Sequence, residues 1–545
     1  MHFILEECPP TWKDIHSNLG ILPPIAKVLV RRGIASPFLA ERFLSPCIEG
    51  IADPFLLPGI ETAISRVKRA LLNRERICLY GDYDVDGITS VAVLFHTMRG
   101  LGFDVFYYIP NRLIEGYGLN IEAIEKIKKQ NATLIITLDC GVSSLAPIEY
   151  ANSIGIDTII VDHHNVPEVL PPAVAVIDPK REDSLYPFKQ LSGVGVAWQF
   201  ARALVRGLLD EDTYLEEVLD LVSLGTIADI VPLTDENRIV VKRGINRLKF
   251  SPRTGLLSLM RSAGIEDRML NAELLSFTLV PRLNSAGRLG SAELAIELLL
   301  TSDSAAAKTL SERLEEKNRS RRGLVDEVLE EVLERLEREP LASTILEYSE
   351  SWHSGVIGIV ASRLVDMFNR PAFIGKREGD LVRFSVRSPE EIDIYSILLP
   401  LRDMFLKFGG HRYALGLTIE EEEIDRLRDI LNKSVQLEAR GEEVVEIDAE
   451  LPLREINPTF LNQLSLLEPF GMGNPRPVFI ARSVKIVGKE VQNNSKSIII
   501  EEEGKRFEVF DLDELLPTDS YIDLVYSIKG TGRIIGIGGL KSGSS

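Results

Sequence analysis

Residues 76–87 have the sequence RICLYGDYDVDG, and this stretch is the strongest indication of the fold. Residues 76–80 form a short, mostly apolar run, which is typical of a buried strand. The Gly/Asp-rich turn after it carries three alternating aspartates, Asp82, Asp84 and Asp86. A helical pattern follows from about residue 90 to residue 101. A strand, a carboxylate-rich turn and a helix predict the first half of a βαβ unit.

The same alternation continues along the N-terminal half of the chain. Further strand candidates lie at 103–109, 134–138 and 156–161, and helical patterns lie between them at 120–130 and 144–154. Strands separated by helices of this length predict a parallel sheet. The fold class of this half is therefore α/β.

The next part of the chain is predicted to be mainly helical. Residues 214–250 show a helical pattern around a break at 225–232. Residues 302–339 contain no proline and have apolar positions at helical spacing, which predicts a long connecting helix. Pro340 ends that helix.

Two smaller units follow the long helix. A second α/β unit is predicted from strands at 342–347 and 371–375 and a helix at 355–368. Residues 475–540 alternate in polarity between Gly-rich turns, which is typical of a small β-barrel. We therefore expect an N-terminal helical segment (1–50), a parallel-sheet catalytic domain (51–300), a connecting helix (301–340), a second α/β domain (341–435) and a β-barrel domain (436–545).

Composition limits the possible functions without deciding among them. The chain has 545 residues, 81 acidic and 62 basic side chains, and a formal net charge of −19. Phosphate binding depends on Lys and Arg, so this average argues against a nucleic-acid partner. However, residues 240–290 hold nine basic and three acidic side chains, whereas 420–450 hold four basic and twelve acidic ones. This segregation fits a basic groove on an acidic body and also a solvated basic surface without a partner.

Cysteine usage and hydropathy indicate the compartment. The four cysteines are widely spaced and form no CxxC pair, so neither a zinc knuckle nor a disulfide framework is predicted. No run approaches the ~18 apolar residues of a membrane-spanning helix. The first residues lack the basic start and apolar core of a signal peptide. We expect a cytoplasmic protein with no membrane partner.

Acidic residues and histidines follow successive predicted strands. Asp139 comes directly after the strand at 134–138, and Asp162-His163-His164 comes directly after the strand at 156–161. The carboxyl ends of parallel strands open onto one crevice, where ligands bind. Asp229 lies in an otherwise apolar segment, where an unpaired charge would be costly. We expect these side chains to meet the aspartates of the 82–86 turn.

Clustered carboxylates repel one another and therefore require compensating cations. Carboxylate ligands suit Mg²⁺ or Mn²⁺, and an imidazole shifts the preference toward Mn²⁺. Two such ions about 3.5–4 Å apart clamp the attacking and leaving oxygens of an in-line phosphoryl displacement. Each motif alone also fits a turn or a helix cap. Together they predict a site for two divalent ions.

Asp162-His163-His164 with the upstream 82–87 motif resembles the DHH phosphoesterase superfamily. Further motifs narrow the resemblance to the bacterial RecJ exonuclease family. They are YIPNR (108–112), EGYGL (115–119), LSGVG (191–195), GTIADIVPL (225–233), PRLNSAGR (281–288), WHSGVIG (352–358), GGH (409–411) and PFGMGNP (469–475). The similarity extends from about residue 20 to residue 480.

The resemblance implies a single-stranded-DNA-specific 5′→3′ exonuclease that acts in DNA repair and recombination and releases 5′-mononucleotides. It implies two ions, Mn²⁺ or Mg²⁺, and single-stranded DNA as a partner, with a helicase and a single-strand-binding protein as candidate protein partners. The implied metal ligands are Asp84, Asp86, Asp139, His163 and Asp229. Asp139 would bridge both ions, and Asp82 would be a further ligand or support one. His164 would face the scissile phosphate, and the implied catalytic residues are His164, Asp139 and Asp82.

The resemblance also implies where the nucleic acid binds. The second α/β unit corresponds to the DHH-associated domain, and the β-barrel corresponds to an oligonucleotide-binding fold. Arginine suits a terminal phosphate because its planar fork binds two oxygens. The candidate substrate-binding residues are Arg112, Arg282, Arg288, His353, Ser385, Arg387, Gly409, Gly410 and His411.

Two other functions remain open. A DHH phosphoesterase could act on small substrates such as nanoRNA, cyclic dinucleotides or pyrophosphate. Its relatives are typically shorter and need no third domain, so the chain length and the 469–475 motif favour the exonuclease. A non-catalytic replication scaffold is the other alternative, and the complete set of aspartates argues against it.

Overall fold

The fold consists of two compact units. The computed structural model describes residues 2–208, 211–250, 253–266, 269–338, 340–435, 444–492, 495–512, 516–530 and 532–541. Unit 1 comprises Met1–Tyr108, Gly118–Val280 and Glu442–Ser545. Unit 2 comprises Ile109–Tyr117 and Pro281–Gly441.

Unit 1 begins with a short strand and a group of helices. These elements are β1 (His2–Ile4), α1 (Trp12–Leu19), α2 (Pro23–Arg31), α3 (Pro37–Leu44) and α4 (Ile60–Leu72). Ile15 and Ile25 are fully buried and belong to the same apolar core as Phe479 and Tyr526 near the C-terminus. The two ends of the chain therefore share one core.

A five-stranded parallel sheet forms the centre of unit 1. Its elements are β2 (Arg76–Gly81), α5 (Val85–Gly100), β3 (Asp104–Tyr108), α6 (Ile121–Lys128), β4 (Ala132–Leu138), α7 (Leu145–Ser153), β5 (Asp157–Val161) and β6 (Ala175–Ile177). The strand order is β3-β2-β4-β5-β6, and every pairing is parallel. The strands are nearly continuous apolar runs, as expected when both faces of a sheet are covered. The prediction of a parallel α/β sheet is confirmed.

Two details differ from the sequence prediction. Helix α5 begins at Val85 rather than near residue 90, because the Asp84 carboxylate accepts a 3.1 Å hydrogen bond from Gly87 N and caps the helix. Strand β6 was not predicted. It has three residues, too few to show a periodic pattern.

Helices extend unit 1 and lead into unit 2. They are α8 (Gly193–Val205), α9 (Glu211–Glu216), α10 (Leu219–Ala228), α11 (Asp235–Phe250), α12 (Thr254–Ser262), α13 (Ala272–Arg288) and α14 (Glu293–Leu300). Helix α10 is buried along nearly its whole length. Gly225, predicted to begin the break, is helical, so α10 continues to Ala228. The break between α10 and α11 therefore covers residues 229–234.

The predicted long helix is α15 (Ser304–Leu336), with 33 residues. Asp303 caps it by accepting hydrogen bonds from Ala305 N and Ala306 N. Leu314, Val325 and Val332 are buried, whereas most other positions of the helix are polar. This pattern confirms the prediction from helical spacing.

Unit 2 contains a mixed five-stranded sheet. Its elements are β7 (Ile345–Ser349), α16 (Ile357–Phe368), β8 (Ala372–Glu378), β9 (Leu381–Arg387), α17 (Ile394–Leu398), β10 (Lys407–His411), β11 (Ala414–Glu420) and α18 (Ile424–Ser434). The strand order is β10-β11-β9-β8-β7, with β7 and β8 parallel and the other pairs antiparallel. The prediction of a second α/β domain is confirmed.

The C-terminal part of unit 1 contains a closed barrel. The elements of this part are β12 (Val444–Glu446), β13 (Ala449–Glu450), α19 (Pro458–Leu466), β14 (Val478–Gln492), β15 (Ser495–Glu502), β16 (Lys505–Phe510), β17 (Tyr521–Lys529) and β18 (Arg533–Lys541). Strand β12 precedes the barrel and pairs with β1 in a separate two-stranded sheet. Strand β14 pairs with both β15 and β17, which closes the order β14-β15-β16-β18-β17. The predicted OB-like barrel is confirmed. Among the helices in the described ranges, none is long and apolar enough to cross a membrane.

Candidate metal centre

Three aspartates lie one residue beyond the ends of adjacent strands of the parallel sheet. Asp82 N donates to Leu138 O at 3.3 Å, Asp139 N donates to Val161 O at 3.0 Å, and Asp162 N donates to Ile177 O at 3.0 Å. At each aspartate the backbone therefore adds one more hydrogen bond to the parallel ladder before the chain leaves the sheet. The three side chains lie at one edge, as the sequence predicted from the rule for parallel strands.

Asp139 occupies a tight position in this turn. Its φ is 59°, a left-handed conformation that Asp adopts more readily than most residues. Its carboxylate lies against the start of α8, where a Cβ added to Gly193 would come within 2.5 Å of Asp139 Oδ1. The absence of a side chain at Gly193 therefore makes room for this carboxylate.

Asp84 and Asp86 are fixed by helix N-termini. Asp84 caps α5, as described above. Asp86 accepts hydrogen bonds from Gly193 N at 2.7 Å and from Val194 N at 2.8 Å, both in the first turn of α8. The positive end of that helix stabilises the carboxylate, and each oxygen retains a second lone pair for a cation.

Asp229 enters the site from the end of α10. The next residue, Ile230, has φ 59°, which is strained for a β-branched side chain. Leu233 N donates to Met472 O at 2.7 Å, which ties this loop to the 469–475 motif. The loop that carries Asp229 is therefore held in place from the barrel side.

The two histidines have different surroundings. His163 is buried, its Nε2 lies 3.1 Å from Asp139 Oδ1, and its Nδ1 lies 3.0 Å from Leu191 O and 3.6 Å from Asp229 Oδ2. His164 is half-buried, and its Nδ1 donates to Asp162 Oδ1 at 2.7 Å. Asp162 Oδ2 also accepts from Val142 N at 3.0 Å, so Asp162 fixes the orientation of His164.

Seven side chains could supply metal ligands in three overlapping groups. The ligand atoms within each group lie within 4.8 Å of one another. The groups are Asp82/Asp84/Asp139, Asp86/His163/Asp229 and Asp139/His163/His164. All six residues predicted as metal ligands are thus brought together, and His164 lies beside them.

Burial and mutual repulsion make these carboxylates difficult to ionise. Burial, followed by repulsion from Asp84, raises the pKa of Asp86 to about 7. Burial and repulsion from Asp86 raise the pKa of Asp229 to about 9 and that of Asp139 well above its ordinary value. A divalent cation would offset this repulsion.

The histidine pKa values move in opposite directions. Burial, together with repulsion from His164, lowers the pKa of His163 to about 3, so its ring is neutral and suited to a metal. Burial opposes protonation of His164 too, but the hydrogen bond to Asp162 and the negative charges of Asp162, Asp229 and Asp86 together raise the pKa of His164 to about 9. His164 is therefore a cation at neutral pH.

The donor set fits divalent ions. Within the described part of the chain, Asp229 Oδ2 and His163 Nε2 are buried and make no hydrogen bond. Buried polar atoms are normally satisfied, so two unsatisfied atoms in one cluster call for another partner. Oxygen donors with one imidazole suit Mn²⁺ or Mg²⁺.

A second predicted cluster forms within unit 2, around the first turn of α16. Arg387 Nη1 lies 3.4 Å from Ser385 Oγ, and a Cβ on Gly358 would lie 2.8 Å from the same oxygen. Burial lowers the pKa of Arg387, and the Arg112 guanidinium lowers it further. Two nearby guanidiniums at a helix N-terminus form a site suited to an anion.

Other predicted residues of unit 2 flank this turn. Gly355 N donates to His353 Nδ1 at 3.0 Å, and Arg288 Nη1 lies 3.5 Å from Gly355 O. Arg282 is buried and forms a 2.5 Å ion pair with Glu315, so its charge is already compensated.

The GGH motif lies on β10, an exposed edge strand. Gly409 is opposite Gly416, which is opposite Ser385 in the next strand. His411 is opposite Ala414, which is opposite Arg387. Residues paired across strands share a face, so Gly409 and His411 lie on the face of Ser385 and Arg387. Gly410, between them, has φ 141°.

Comparison with protein families agrees with this arrangement. The DHH family N-terminal domain matches residues 76–226, the DHHA1 domain matches 341–437, and the RecJ OB domain matches 447–529. The single-stranded-DNA-specific exonuclease RecJ of Dickeya dadantii (strain 3937) is 35% identical over 559 residues, covering 96% of this chain and 95% of the relative. The chain belongs to the RecJ family.

Other RecJ proteins show the same similarity. The single-stranded-DNA-specific exonuclease RecJ of Bacillus subtilis (strain 168) is 38% identical over 471 residues, covering 85% of this chain but only 59% of that relative. The crystal structure of Thermus thermophilus RecJ with Mn²⁺ has a TM-score of 0.85 and 28% identity, covering 98% of this chain and 79% of that one. The crystal structure of the same protein with Mg²⁺ has a TM-score of 0.77 and 27% identity, covering 98% and 78%.

The structure adds two features that were not predicted for this site, namely the role of Asp162, whose position at the site was expected, and the presence of Asp178. Asp162 orients His164, as shown above. Asp178 follows β6, is fully buried, and accepts a 2.8 Å hydrogen bond from Lys180 N. Burial, with a smaller contribution from repulsion by Asp162, raises the pKa of Asp178 to about 7. Asp178 carries the same signal as Asp139 and Asp162, a carboxylate directly after a strand, but β6 has only three residues.

Proposed function

We propose that this RecJ-family chain hydrolyses single-stranded DNA from its 5′ end and releases 5′-mononucleotides, using two divalent ions. The observation that carries the proposal is the cluster of five aspartates and two histidines at one sheet edge, namely Asp82, Asp84, Asp86, Asp139, Asp229, His163 and His164. Such a cluster suits in-line displacement at a phosphodiester, with a water-derived nucleophile and no covalent enzyme intermediate. DNA repair and recombination are the processes proposed for it.

We assign the metal-ligand roles to Asp84, Asp86, Asp139, His163 and Asp229, with Asp82 as a further ligand or a support for one. Asp139 and His163 are each common to two of the three ligand groups, and of these two only the carboxylate has two equivalent donor oxygens, which supports a bridging role for Asp139. When bound, Mn²⁺ or Mg²⁺ would lower the pKa of water and neutralise phosphoryl oxygens.

We assign His164 to the scissile phosphate. The 2.7 Å hydrogen bond from Nδ1 to Asp162 favours the protonated ring and fixes its orientation. A fixed imidazolium stabilises the charge that develops on a phosphoryl oxygen in the transition state. Asp162 acts through His164 as a positioning residue.

We assign the anion site of unit 2 to the 5′-terminal phosphate. The candidate residues are Arg112, Arg282, Arg288, His353, Ser385, Arg387, Gly409, Gly410 and His411, and the pairing of Arg282 with Glu315 makes Arg282 the weakest of them. Arg387 is the strongest candidate, because among the described residues it forms no ion pair with a carboxylate.

Replacing Arg387 by alanine is expected to raise KM for 5′-phosphorylated strands about 10- to 100-fold, because one charge-assisted hydrogen-bonding group is lost. KM for 5′-hydroxyl strands is expected to change little. Steady-state rates on the two substrates measure the difference. Arg383→Ala is the matched control, since Arg383 lies on the same strand and is exposed. An equal loss on both substrates would contradict the assignment to the 5′ phosphate.

Strands blocked at either end test the proposed function directly. We expect the protein to degrade 3′-blocked and unblocked single strands to mononucleotides with Mn²⁺ or Mg²⁺, and to leave 5′-blocked strands and duplex intact. Chromatography of the products separates mononucleotides from longer fragments. Turnover restricted to dinucleotides would instead support a small-substrate phosphoesterase.

We also propose the division into domains at residues 50, 300, 340 and 435. A helicase and a single-strand-binding protein are the proposed protein partners. Co-purification with the full chain tests them.

A further inference from the structure

Unit 1 contains a largely apolar groove of about 590 Å³ between the Asp229 loop, helix α13 and the barrel. Its apolar lining includes Ile230, Phe277 and Met472, whose side chains are 65%, 73% and 53% exposed. Three large apolar side chains exposed together are unusual on a protein surface and mark a binding site. We call this feature the α13 groove.

The α13 groove adjoins the candidate metal centre along the chain. Ile227, Ile230 and Val231 line the groove, and Asp229, between them, supplies a carboxylate to the metal cluster. The barrel side is fixed to this loop by the Leu233–Met472 hydrogen bond. A Cβ on Gly471 would lie 2.8 Å from the Leu233 side chain, so the barrel loop packs directly against it.

The polar residues of the α13 groove do not repel phosphate. Glu273 forms ion pairs with Arg476 and with Lys529, whose Nζ lies 3.0 Å from Glu273 Oε1. Among the residues that line the groove, two cations therefore face one carboxylate. A chain with apolar faces and a negatively charged backbone is complementary to such a surface.

We propose that the α13 groove binds unpaired nucleobases of the DNA strand next to the phosphodiester being cleaved. The inference rests on the proposed exonuclease function and adds a site that contacts bases rather than phosphates. Phe277 supplies an aromatic face for a base, and Ile230 and Met472 supply apolar contact around it. The volume lies in the range of ligand pockets.

Two observations favour bases over an apolar peptide as the occupant. The segment that lines the α13 groove also carries a metal-site carboxylate, since Asp229 lies directly before the lining residue Ile230. The groove also combines an aromatic platform with two cations, which is the combination that single strands require. A peptide with an apolar face would not need the cations.

Strands with one abasic site test the proposal. A series of 5′-phosphorylated single strands carries the abasic site at successive positions from the 5′ end. We expect wild-type KM to rise about tenfold when the missing base is one that occupies the α13 groove. Phe277→Ala is expected to raise KM about tenfold on the intact strand. For this variant, an abasic site at the position that occupies the groove should cause no further increase in KM.

Controls separate this contact from misfolding and from failure of the proposed function. Phe38→Ala removes a comparably exposed phenylalanine, 66% exposed, outside the groove, and is expected to behave as wild type. Met472→Ala, monitored by thermal unfolding, provides a second groove variant. Wild-type digestion of intact strands reports the exonuclease function independently.

Two results would overturn the proposal. One is a Phe277→Ala variant with wild-type KM and the full abasic response. The other is an increase in KM from the abasic site that is as large in Phe277→Ala and in Met472→Ala as in the wild type. Such independent effects would mean that the base does not contact these side chains.

Discussion

Replacing Asp139 by alanine is expected to lower cleavage of single-stranded DNA by at least about 10³-fold, the scale on which loss of a central catalytic group acts. Asp139 belongs to two of the three ligand groups, so its removal weakens both. Its side chain also lies 3.1 Å from His163. Binding of the strand should persist, because the proposed anion site and α13 groove do not include Asp139.

Two measurements on one protein preparation test this expectation. Initial cleavage rates with saturating Mn²⁺ report catalysis, and fluorescence anisotropy of a labelled strand with Ca²⁺ reports binding. Asp104→Ala is the control, since Asp104 is an exposed aspartate at the start of β3. Wild-type turnover in Asp139→Ala would show that Asp139 is not a metal ligand needed for cleavage.

Removing divalent ions is expected to abolish cleavage and to make stability fall as pH rises. The raised pKa values of Asp86, about 7, and Asp229, about 9, mean that the folded metal-free protein holds protons that the unfolded chain releases near pH 4. This contribution to stability is complete at pH below about 4 and is lost as pH rises through 7 and 9.

Mn²⁺ should have the opposite pH dependence, because it binds the deprotonated carboxylates. We expect saturating Mn²⁺ to raise Tm by about 5 °C or more near pH 8 and by less near pH 5.5. Thermal unfolding in chelator and in Mn²⁺ across this pH range measures both trends. Asp229→Asn is the control, and it should reduce the dependence of Tm on pH in chelator. A Tm increase that is independent of pH would contradict carboxylate ligation.

The strand-end aspartates could be predicted from sequence because a short apolar run followed directly by Asp combines two strong local signals. Asp139 and Asp162 are examples, and the register of the sheet places them as expected. Strand β6 and its Asp178 could not be predicted, since three residues carry no periodic signal. The role of Asp162 depends on its distance to His164, which no sequence pattern encodes.

The basic stretch at 240–290 shows why local net charge is a poor guide to a binding surface. Lys242 donates to the Leu44 carbonyl at 2.9 Å, and Arg253 lies 3.1 Å from the buried Asp220. Further basic residues of the stretch pair with acids elsewhere in the chain, namely Arg243 with Glu216 and Arg282 with Glu315. Several basic side chains of this stretch therefore already bind carbonyl or carboxylate groups of the same chain.

The shared core of the two chain ends also determines when unit 1 can form during synthesis. Ile15 and Ile25 pack in the same core as Phe479 and Tyr526, and unit 2 lies between them in sequence. A ribosome releases the N-terminal helices long before their packing partners. We expect these helices to expose an apolar face until strands β14 to β18 have been synthesised, and a premature stop codon before β14 to leave that face uncovered.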